Sequence, residues 1–334
     1  MSIQWLIDNW LPLGHRVEDT APEGGFKTMW GIYEAVCIAS GHDILGHRVK
    51  QGEVIIVDEE TPESSLDNHL QRFSLGLGFR DWKQLPITKL SFTGFRFARK
   101  TEMDKLIHII QWVNPVLVRF DSLLAMLPSG RQGVSENDGK LGEIIRDDLN
   151  TVLLGRPNCS TSLAVHSKKY TVDLDIDDLV KCEMQTLVRG HGSIVGEGCD
   201  TGYVLKKLSV YPKPTCFAII TKARRLAIPS SEKVTYVVLD EQSYGQGWAR
   251  FREIQEDALP PSEYARALFP LFLDNDSHKA SQIKYRYALD RSSGLKRGIQ
   301  ELLSRKVICN CEPQVYKLNP HRSQECNPNY LAAL

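Results

Sequence analysis

Residues 21–28 of the chain read Ala21-Pro22-Glu23-Gly24-Gly25-Phe26-Lys27-Thr28, and a helical pattern follows at once and ends at Gly41. In a glycine-rich turn before a helix, backbone N–H groups can surround a phosphate, a lysine can contact its oxygens and a hydroxyl can bind Mg²⁺. The strict sequence motif of such phosphate-binding loops has glycine at the positions that Ala21 and Phe26 occupy in this chain. A glycine-rich turn with a surface lysine therefore stays open as the alternative. We expect a nucleotide-binding loop made of Glu23, Gly24, Gly25, Phe26, Lys27, Thr28 and Met29, with Thr28 as a Mg²⁺ ligand.

Short apolar runs alternate with longer helical patterns through the first 240 residues. Such strands, apolar on both faces and separated by helices, are typical of a mainly parallel sheet that is covered on both sides. The sequence therefore predicts an α/β fold, with strands after the loop at 54–57, 116–120, 162–165, 216–221 and 234–239.

Acidic residues follow two of the predicted strands directly. Asp58-Glu59-Glu60-Thr61-Pro62 closes the strand at 54–57, and Asp121 closes the strand at 116–120. A carboxylate at such a strand end is costly to bury unless a cation balances its charge. A solvated acidic loop is the alternative for residues 58–60.

The composition limits the possible classes of protein. The 334 residues carry 41 basic and 41 acidic side chains, and 42% of the residues are hydrophobic, which excludes disorder as the main state. The chain lacks the run of about 18 apolar residues that a membrane span needs, and its first residues do not resemble a signal peptide. We therefore expect a cytoplasmic protein without a membrane partner. The eight cysteines are expected to be reduced, and the one close pair, Cys309-x-Cys311, has no second pair at zinc-ligand spacing.

A break near Ala258–Ser262 divides the chain into two predicted domains, 1–258 and 259–334. Residues 260–334 contain eleven Lys or Arg against seven Asp or Glu, which is a local basic excess in a neutral protein. The pattern changes there to three helices and a hairpin, expected at 261–272, at 281–288, from Ser292 or Ser293 onward, and at 307–318. This arrangement predicts a small C-terminal winged-helix domain.

The chain resembles the RecA-like P-loop ATPases, and within them the RepA-like family of hexameric plasmid and phage replicative helicases. The resemblance runs from about Trp10 to about Asp240. Members of that family often have Phe-Lys-Ser or Phe-Lys-Thr in place of Gly-Lys, as at Phe26 here. They share the helix end Ala39-Ser40-Gly41 and the strand start Gly52-Glu53-Val54. Ala21 remains a departure from the family pattern.

The resemblance implies roles for several residues. Glu60, with Glu59 as second choice, would be the catalytic glutamate that orients water, and Asp121 would be the Walker B residue that holds Mg²⁺. His166, at the end of a predicted strand, would sense the state of the nucleotide. Across a subunit interface, Lys222 and Arg224 would reach the γ-phosphate of a neighbour, with Arg225 as the alternative to Arg224.

We therefore expect an enzyme that uses ATP and Mg²⁺. The preferred hypothesis is a ring-forming motor, most simply a hexamer, that acts as a DNA helicase on single-stranded DNA in plasmid, phage or mobile-element replication. The alternative is an ATP-switched regulator with slow turnover that binds duplex DNA through its winged helix. The cations of the recognition helix, which are Arg291, Lys296, Arg297 and Arg305, would suit either DNA phosphates or an acidic protein partner.

Overall fold

A nine-stranded sheet organises the larger part of the protein. The computed structural model describes residues 3–127, 139–172, 174–189, 200–208, 215–223, 234–243, 246–256, 259, 261–273, 278–279, 292–312, 315–321, 326 and 331. The sheet order is β11-β10-β9-β8-β3-β7-β6-β4-β5. Its strands are β3 Arg16–Ala21, β4 Val54–Asp58, β5 Ile87–Ser91, β6 Leu117–Asp121, β7 Ser160–His166, β8 Thr201–Lys207, β9 Thr215–Ala223, β10 Val234–Ser243 and β11 Gln246–Ile254.

The strands from β3 to β8 pair in parallel, which confirms the α/β fold with a mainly parallel sheet. β7 lies between β3 and β6, so the strand before the glycine-rich loop and the strand before Asp121 are separated by one strand. A small antiparallel pair, β1 Trp5–Ile7 and β2 Leu11–Pro12, precedes the sheet. The carboxyl ends of parallel strands meet at one edge of the sheet. Here that edge carries the residues whose side chains can bind ions or take part in a reaction.

Six helices accompany the sheet within the described part of residues 3–208. Their bounds are α1 Lys27–Ser40, α2 Glu63–Gly76, α3 Lys100–Val113, α4 Gly139–Leu153, α5 Ile176–Lys181 and α6 Met184–Leu187. The predicted end of α1 at Gly41 is confirmed, because Gly41 adopts a φ of 76° and donates its N–H to the carbonyl of Cys37. A left-handed residue of this kind is the usual end of a helix, and glycine adopts it without steric cost.

The two faces of the sheet differ in chemistry. One face is a dry core in which Val118 and Phe120 of β6 pack with residues of α3 and α4, including Leu106, Ile110 and Leu149. The alternate residues of β6 point to the opposite face, which α1 covers. Charged side chains are buried on that second face, as described below.

The chain divides into two compact units. The first comprises Met1–Lys206, Ala218–Thr235 and Leu239–Arg252, and the second comprises Lys207–Phe217, Tyr236–Val238 and Glu253–Leu334. The second unit contains α7 Glu263–Leu268, β12 His278–Lys279, α8 Ser292–Ser304, β13 Ile308–Glu312 and β14 Val315–Leu318. β14 lies between β12 and β13 and is antiparallel to both. The core of the second unit is apolar and includes Leu268, Phe272, Leu302, Ile308 and Leu318.

The C-terminal helical pattern needs one correction. The predicted helix 261–272 is α-helical only over α7 and continues as a 3₁₀ turn at Phe269–Phe272. Pro270 explains the change, because proline has no N–H to continue an α-helical hydrogen-bond ladder. The predicted hairpin is confirmed as β13 and β14, whereas the predicted helix 281–288 lies outside the described residues. No helix among the described residues is long and apolar enough to cross a membrane.

Candidate nucleotide site

The glycine-rich loop connects β3, which ends at Ala21, with α1, which begins at Lys27. Gly24 and Phe26 both adopt a φ of 69°, so Phe26 takes the left-handed conformation that the strict motif assigns to glycine. Gly25 has no room for a side chain, since a Cβ would lie 2.5 Å from the Cβ of Ala21 and 2.7 Å from the carbonyl oxygen of Pro22. The loop therefore has the tight turn of a phosphate loop despite the two departures from the motif.

Lys27 occupies the first turn of α1 and is folded back over the loop. Its Nζ lies 3.1 Å from the carbonyl oxygen of Ala21, 3.3 Å from that of Pro22 and 3.4 Å from Nδ1 of His166. These partners are polar but uncharged acceptors, and a phosphate oxygen forms a stronger, charge-assisted bond with an ammonium group. Lys27 is thus placed at the loop where a phosphate would bind.

Electrostatics relate Lys27 to the strand-end carboxylates. Burial lowers the pKa of Lys27, while the charges of Asp19, Asp121 and Glu60 act in the opposite direction. Burial also lowers the pKa of His166, and the charge of Lys27 lowers it further, which favours the neutral imidazole that can accept a hydrogen bond from the Lys27 ammonium group. His166 is the last residue of β7 and pairs in register with Ala21. The structure therefore brings Lys27, His166, Asp121 and Glu60 to one edge of the sheet.

Asp121 ends β6 directly beside Asp58, the last residue of β4. Its side chain is buried, with one oxygen, Oδ2, 3.3 Å from Nη2 of Arg119. The other oxygen, Oδ1, has no hydrogen-bond partner in the described part of the chain. Burial raises the pKa of Asp121 to about 7, against the lowering effect of Arg119. A buried carboxylate oxygen without a partner, near the hydroxyl-bearing first turn of α1, fits Mg²⁺ held by Asp121 and Thr28.

The neighbouring glutamates Glu59 and Glu60 have different environments. Glu59 is buried, and its carboxylate accepts four hydrogen bonds from the segment that follows β5: from Oγ1 of Thr93, from the backbone N–H groups of Gly94 and Phe95, and from Nη1 of Arg96. Every bond anchors that segment, so Glu59 has a structural task.

Glu60 is exposed at the same strand end. Oδ1 of Asp58 accepts the N–H groups of Glu60 at 2.9 Å and of Thr61 at 2.7 Å, which shapes the turn that presents Glu60. The hydroxyl of Ser122, the residue after Asp121, donates to the Glu60 carboxylate. Of the two glutamates, Glu60 is the one whose carboxylate is accessible to a water molecule.

Lys222 makes contacts that the sequence did not predict. Its Nζ donates to the carbonyl oxygens of Val180 and Cys182, both at 2.7 Å, and to that of Leu179. These carbonyls lie at the end of α5, where helix carbonyls lack partners within the helix. Lys222 thus caps a helix of its own chain, and a reach to a neighbouring subunit would require those bonds to break. Arg224 and Arg225 lie outside the described residues.

Arg119 is the main residue of the site that sequence reasoning missed. It is buried on the α1 side of the sheet, between the phosphate loop and Asp121, and it pairs with Asp19 of β3 at 2.8 Å. The available signal was Arg119 itself, a charged residue inside the apolar run 116–120. Charges in such positions are rarely buried without partners.

Glu34 should make the free energy of unfolding depend on pH. It lies within α1, is fully buried, and neither carboxylate oxygen has a hydrogen-bond partner among the described residues. Burial raises its pKa from 4.5 to about 8, although Arg119 lowers it in part. Between these values the folded protein binds more protons at Glu34 than the unfolded chain, so the free energy of unfolding must fall as the pH rises.

We expect Glu34→Gln to remove this component of the pH dependence. Urea denaturation at pH 5.5 and at pH 8.5 should show that wild-type protein loses at least about 1 kcal/mol more than the variant over this interval, the equivalent of one pKa unit. The other titrating groups are common to both proteins and cancel in the comparison. Equal losses in the two proteins would mean that Glu34 is ionised in the folded state.

Comparisons with known proteins identify a family and similar solved structures. The AAA domain family matches residues 2–171. The crystal structure of the RadB recombinase is similar, with 16% identity, a TM-score of 0.47, and coverage of 73% of this chain and 92% of that chain. The crystal structure of the KaiC-like protein PH0186 from Pyrococcus horikoshii OT3 has 14% identity and a TM-score of 0.46, and covers 75% of this chain and 94% of that chain. No curated protein matches the chain in sequence.

The family match extends over half of the chain and includes the phosphate loop, both strand-end carboxylates and His166. The parallel sheet places these groups at one edge. This chain therefore belongs to the AAA domain family.

Proposed function

We propose that this protein is an ATP-hydrolysing motor that forms a ring, most simply a hexamer, and acts as a DNA helicase in plasmid, phage or mobile-element replication. The observation that carries the ATPase part is the arrangement of three groups at one sheet edge. Lys27 lies over the phosphate loop, Asp121 has a buried carboxylate oxygen without a hydrogen-bond partner, and Glu60 is exposed at the next strand end.

Each group has a distinct task in the proposed reaction. Lys27 and the N–H groups of the loop bind the β- and γ-phosphates, and Glu60 orients the water that attacks the γ-phosphorus. The Ser122 hydroxyl holds the Glu60 carboxylate in place. Mg²⁺, held by Thr28 and Asp121, would neutralise charge on the phosphate oxygens. His166, which contacts Lys27, is placed to respond when a phosphate draws the ammonium away from the loop.

The ring and the action in trans rest on the resemblance to the replicative helicases. In this proposal Lys222 and Arg224, or Arg225 in place of Arg224, stabilise charge at the nucleotide of a neighbouring subunit. The hydrogen bonds of Lys222 to the end of α5 give it a second task within its own chain. We therefore assign the larger share of the trans effect to the arginine.

The C-terminal unit is proposed to be a winged helix that binds DNA. Its described elements follow the order helix, strand, helix and hairpin, and its three strands are antiparallel. Basic residues of α8 and its flanks would contact phosphates. Arg305, at the end of α8, already donates to the carbonyl of Glu256. The predicted boundary near residues 258–262 is retained as part of this proposal.

A second candidate function is an ATP-switched regulator with slow turnover. One observation favours it: Phe26 takes a left-handed conformation in the loop, where the strict motif has glycine. In this case ATP binding would control contact between the winged helix and duplex DNA.

One experiment distinguishes the two candidates. The ATPase rate of the full-length protein is measured alone, with single-stranded DNA and with duplex DNA, and a forked duplex is used to assay strand separation. A helicase motor should be stimulated by single strands and should separate the fork only when ATP is hydrolysed. Negligible turnover with each DNA, together with ATP-dependent binding to a preferred duplex sequence, would select the regulator.

A further inference from the structure

We propose that Arg119 is a positioning residue that ties the Mg²⁺-facing carboxylate of Asp121 to the first turn of the phosphate-loop helix. This inference rests on the proposed ATPase function. It assigns Arg119 no contact with the nucleotide: the residue acts through Asp121 and through the backbone of Lys27.

The hydrogen bonds of Arg119 connect its own strand, β6, with three other elements. Nη1 donates to Oδ1 of Asp19 and to Oγ of Ser162, both at 2.8 Å, and Nη2 donates to Oδ2 of Asp19 at 2.9 Å. Nη2 also lies 3.1 Å from the carbonyl oxygen of Lys27 and 3.3 Å from Oδ2 of Asp121. The guanidinium group therefore contacts β3, β7, the start of α1 and the end of its own strand.

The geometry of the sheet makes this arrangement specific to arginine. β6 and β3 are not neighbours, since β7 lies between them, and Ser162 is the residue of β7 in register with Arg119. The side chain must cross β7 to reach Asp19, and its planar fork then binds both oxygens of that carboxylate. Lysine has a single ammonium group and cannot hold Asp19 in two places while contacting Asp121 and the carbonyl of Lys27.

The helix above the sheet is adapted to this guanidinium group. Gly31 lies in the interior of α1, where glycine normally weakens a helix. A Cβ at Gly31 would lie 1.8 Å from Cζ and 1.9 Å from Nε of Arg119. Glycine at this position leaves the space that the guanidinium group occupies, although it lowers the local stability of α1.

The contact with Asp121 determines which carboxylate oxygen remains available. Oδ2 is bound by Arg119, and Oδ1 has no hydrogen-bond partner within the described residues. Because the same guanidinium group holds the backbone of Lys27, the carboxylate that would face Mg²⁺ and the turn that carries Lys27 and Thr28 keep a constant separation. Loss of Arg119 should therefore weaken Mg²⁺-dependent nucleotide binding more than nucleotide binding without Mg²⁺.

The test compares Arg119→Lys with Arg72→Lys as a matched control. Arg72 is also buried, and it pairs with Glu241 in the same unit, but it makes no described contact with the site. Affinity for a fluorescent ATP analogue is measured with Mg²⁺ and with EDTA, and melting temperatures are recorded. We expect Arg119→Lys to reduce the Mg²⁺-dependent gain in affinity about tenfold, the effect of one lost charge-assisted hydrogen bond, and to leave the affinity in EDTA within about twofold. Arg72→Lys should lower the melting temperature without changing that gain.

Asp19→Asn is the second variant, because it removes the anchor of Arg119 on β3 and leaves Arg119 itself in place. It should shift the Mg²⁺ dependence in the same direction by a smaller factor, which keeps the proposal testable if Arg119→Lys does not fold. An unchanged Mg²⁺-dependent gain in a folded Arg119→Lys or Asp19→Asn protein would overturn the proposal and leave Arg119 as a structural ion pair. The binding assay needs no turnover, so a wild type that binds Mg²⁺–ATP without hydrolysing it would refute the proposed function alone. A wild type whose affinity does not increase with Mg²⁺ would overturn both.

Discussion

Lys27→Ala should abolish ATP hydrolysis and weaken ATP binding by at least about tenfold. The Nζ of Lys27 lies over the phosphate loop, within 3.1 Å of the carbonyl oxygen of Ala21, where a phosphate group would replace neutral partners by charged ones. One charge-assisted contact of this kind contributes about 1.5–3 kcal/mol, and the effect on hydrolysis is larger because charge on the phosphate oxygens must also be stabilised in the transition state. Steady-state ATPase assays and titration with a fluorescent analogue measure the two effects separately.

Lys100→Ala is the matched control for this prediction. Lys100 begins α3, its side chain is 87% exposed, and its ion pair with Asp104 lies on the helix surface. An exposed pair of this type contributes little to stability, so the control should retain wild-type hydrolysis and affinity. Hydrolysis by Lys27→Ala at the wild-type rate would show that the loop at residues 21–28 does not bind the reacting phosphates.

Glu60→Gln should lower kcat by about 10²–10⁴ and leave ATP affinity nearly unchanged, because general-base or water-orienting catalysis acts on the chemical step and not on binding. Glutamine keeps the size and one acceptor oxygen of the side chain, so the contact with Ser122 can persist. Single-turnover hydrolysis and equilibrium binding of ATP distinguish the loss of chemistry from the loss of affinity.

Glu59→Gln provides the contrast, since the two glutamates are adjacent and only their environments differ. The Glu59 carboxylate is buried with Arg96, whose Nη1 lies 3.0 Å away, so its neutralisation should lower the melting temperature while hydrolysis persists. If Glu59→Gln instead abolished hydrolysis at wild-type stability and Glu60→Gln did not, the two roles would be reversed.

Local sequence patterns determined a large part of this architecture. The predicted strands 54–57 and 116–120 correspond to β4 and β6, and the helix that begins at the glycine-rich loop ends at Gly41 as expected. These features depend on residues that are close in the chain: an apolar run, a glycine that permits a left-handed turn, and a carboxylate after the run. Such signals do not require knowledge of the neighbouring strands.

The pattern missed strands of two kinds: β3 and β8, which are largely buried but contain polar residues, and β5, which is only partly buried. The strand β5 and the helix α3 were not predicted, and all five residues of β5 are only half-buried at the edge of the sheet. The edge strand reads Ile87-Thr88-Lys89-Leu90-Ser91, which has neither a continuous apolar run nor a regular alternation to indicate a strand. The same limitation affected Glu59, because the loop that it anchors follows β5.

Only the tertiary structure decided how the buried charges are satisfied. From the sequence, Asp19 and Arg119 are two charged residues one hundred positions apart, Asp19 in a largely polar segment and Arg119 in an apolar run. Their pairing depends on the strand order, which places β7 between their strands, and on Gly31, which leaves room above the guanidinium group. A buried charge is stable only if a partner from elsewhere in the chain lies within hydrogen-bond distance, and strand order and helix placement, not local sequence, set that distance.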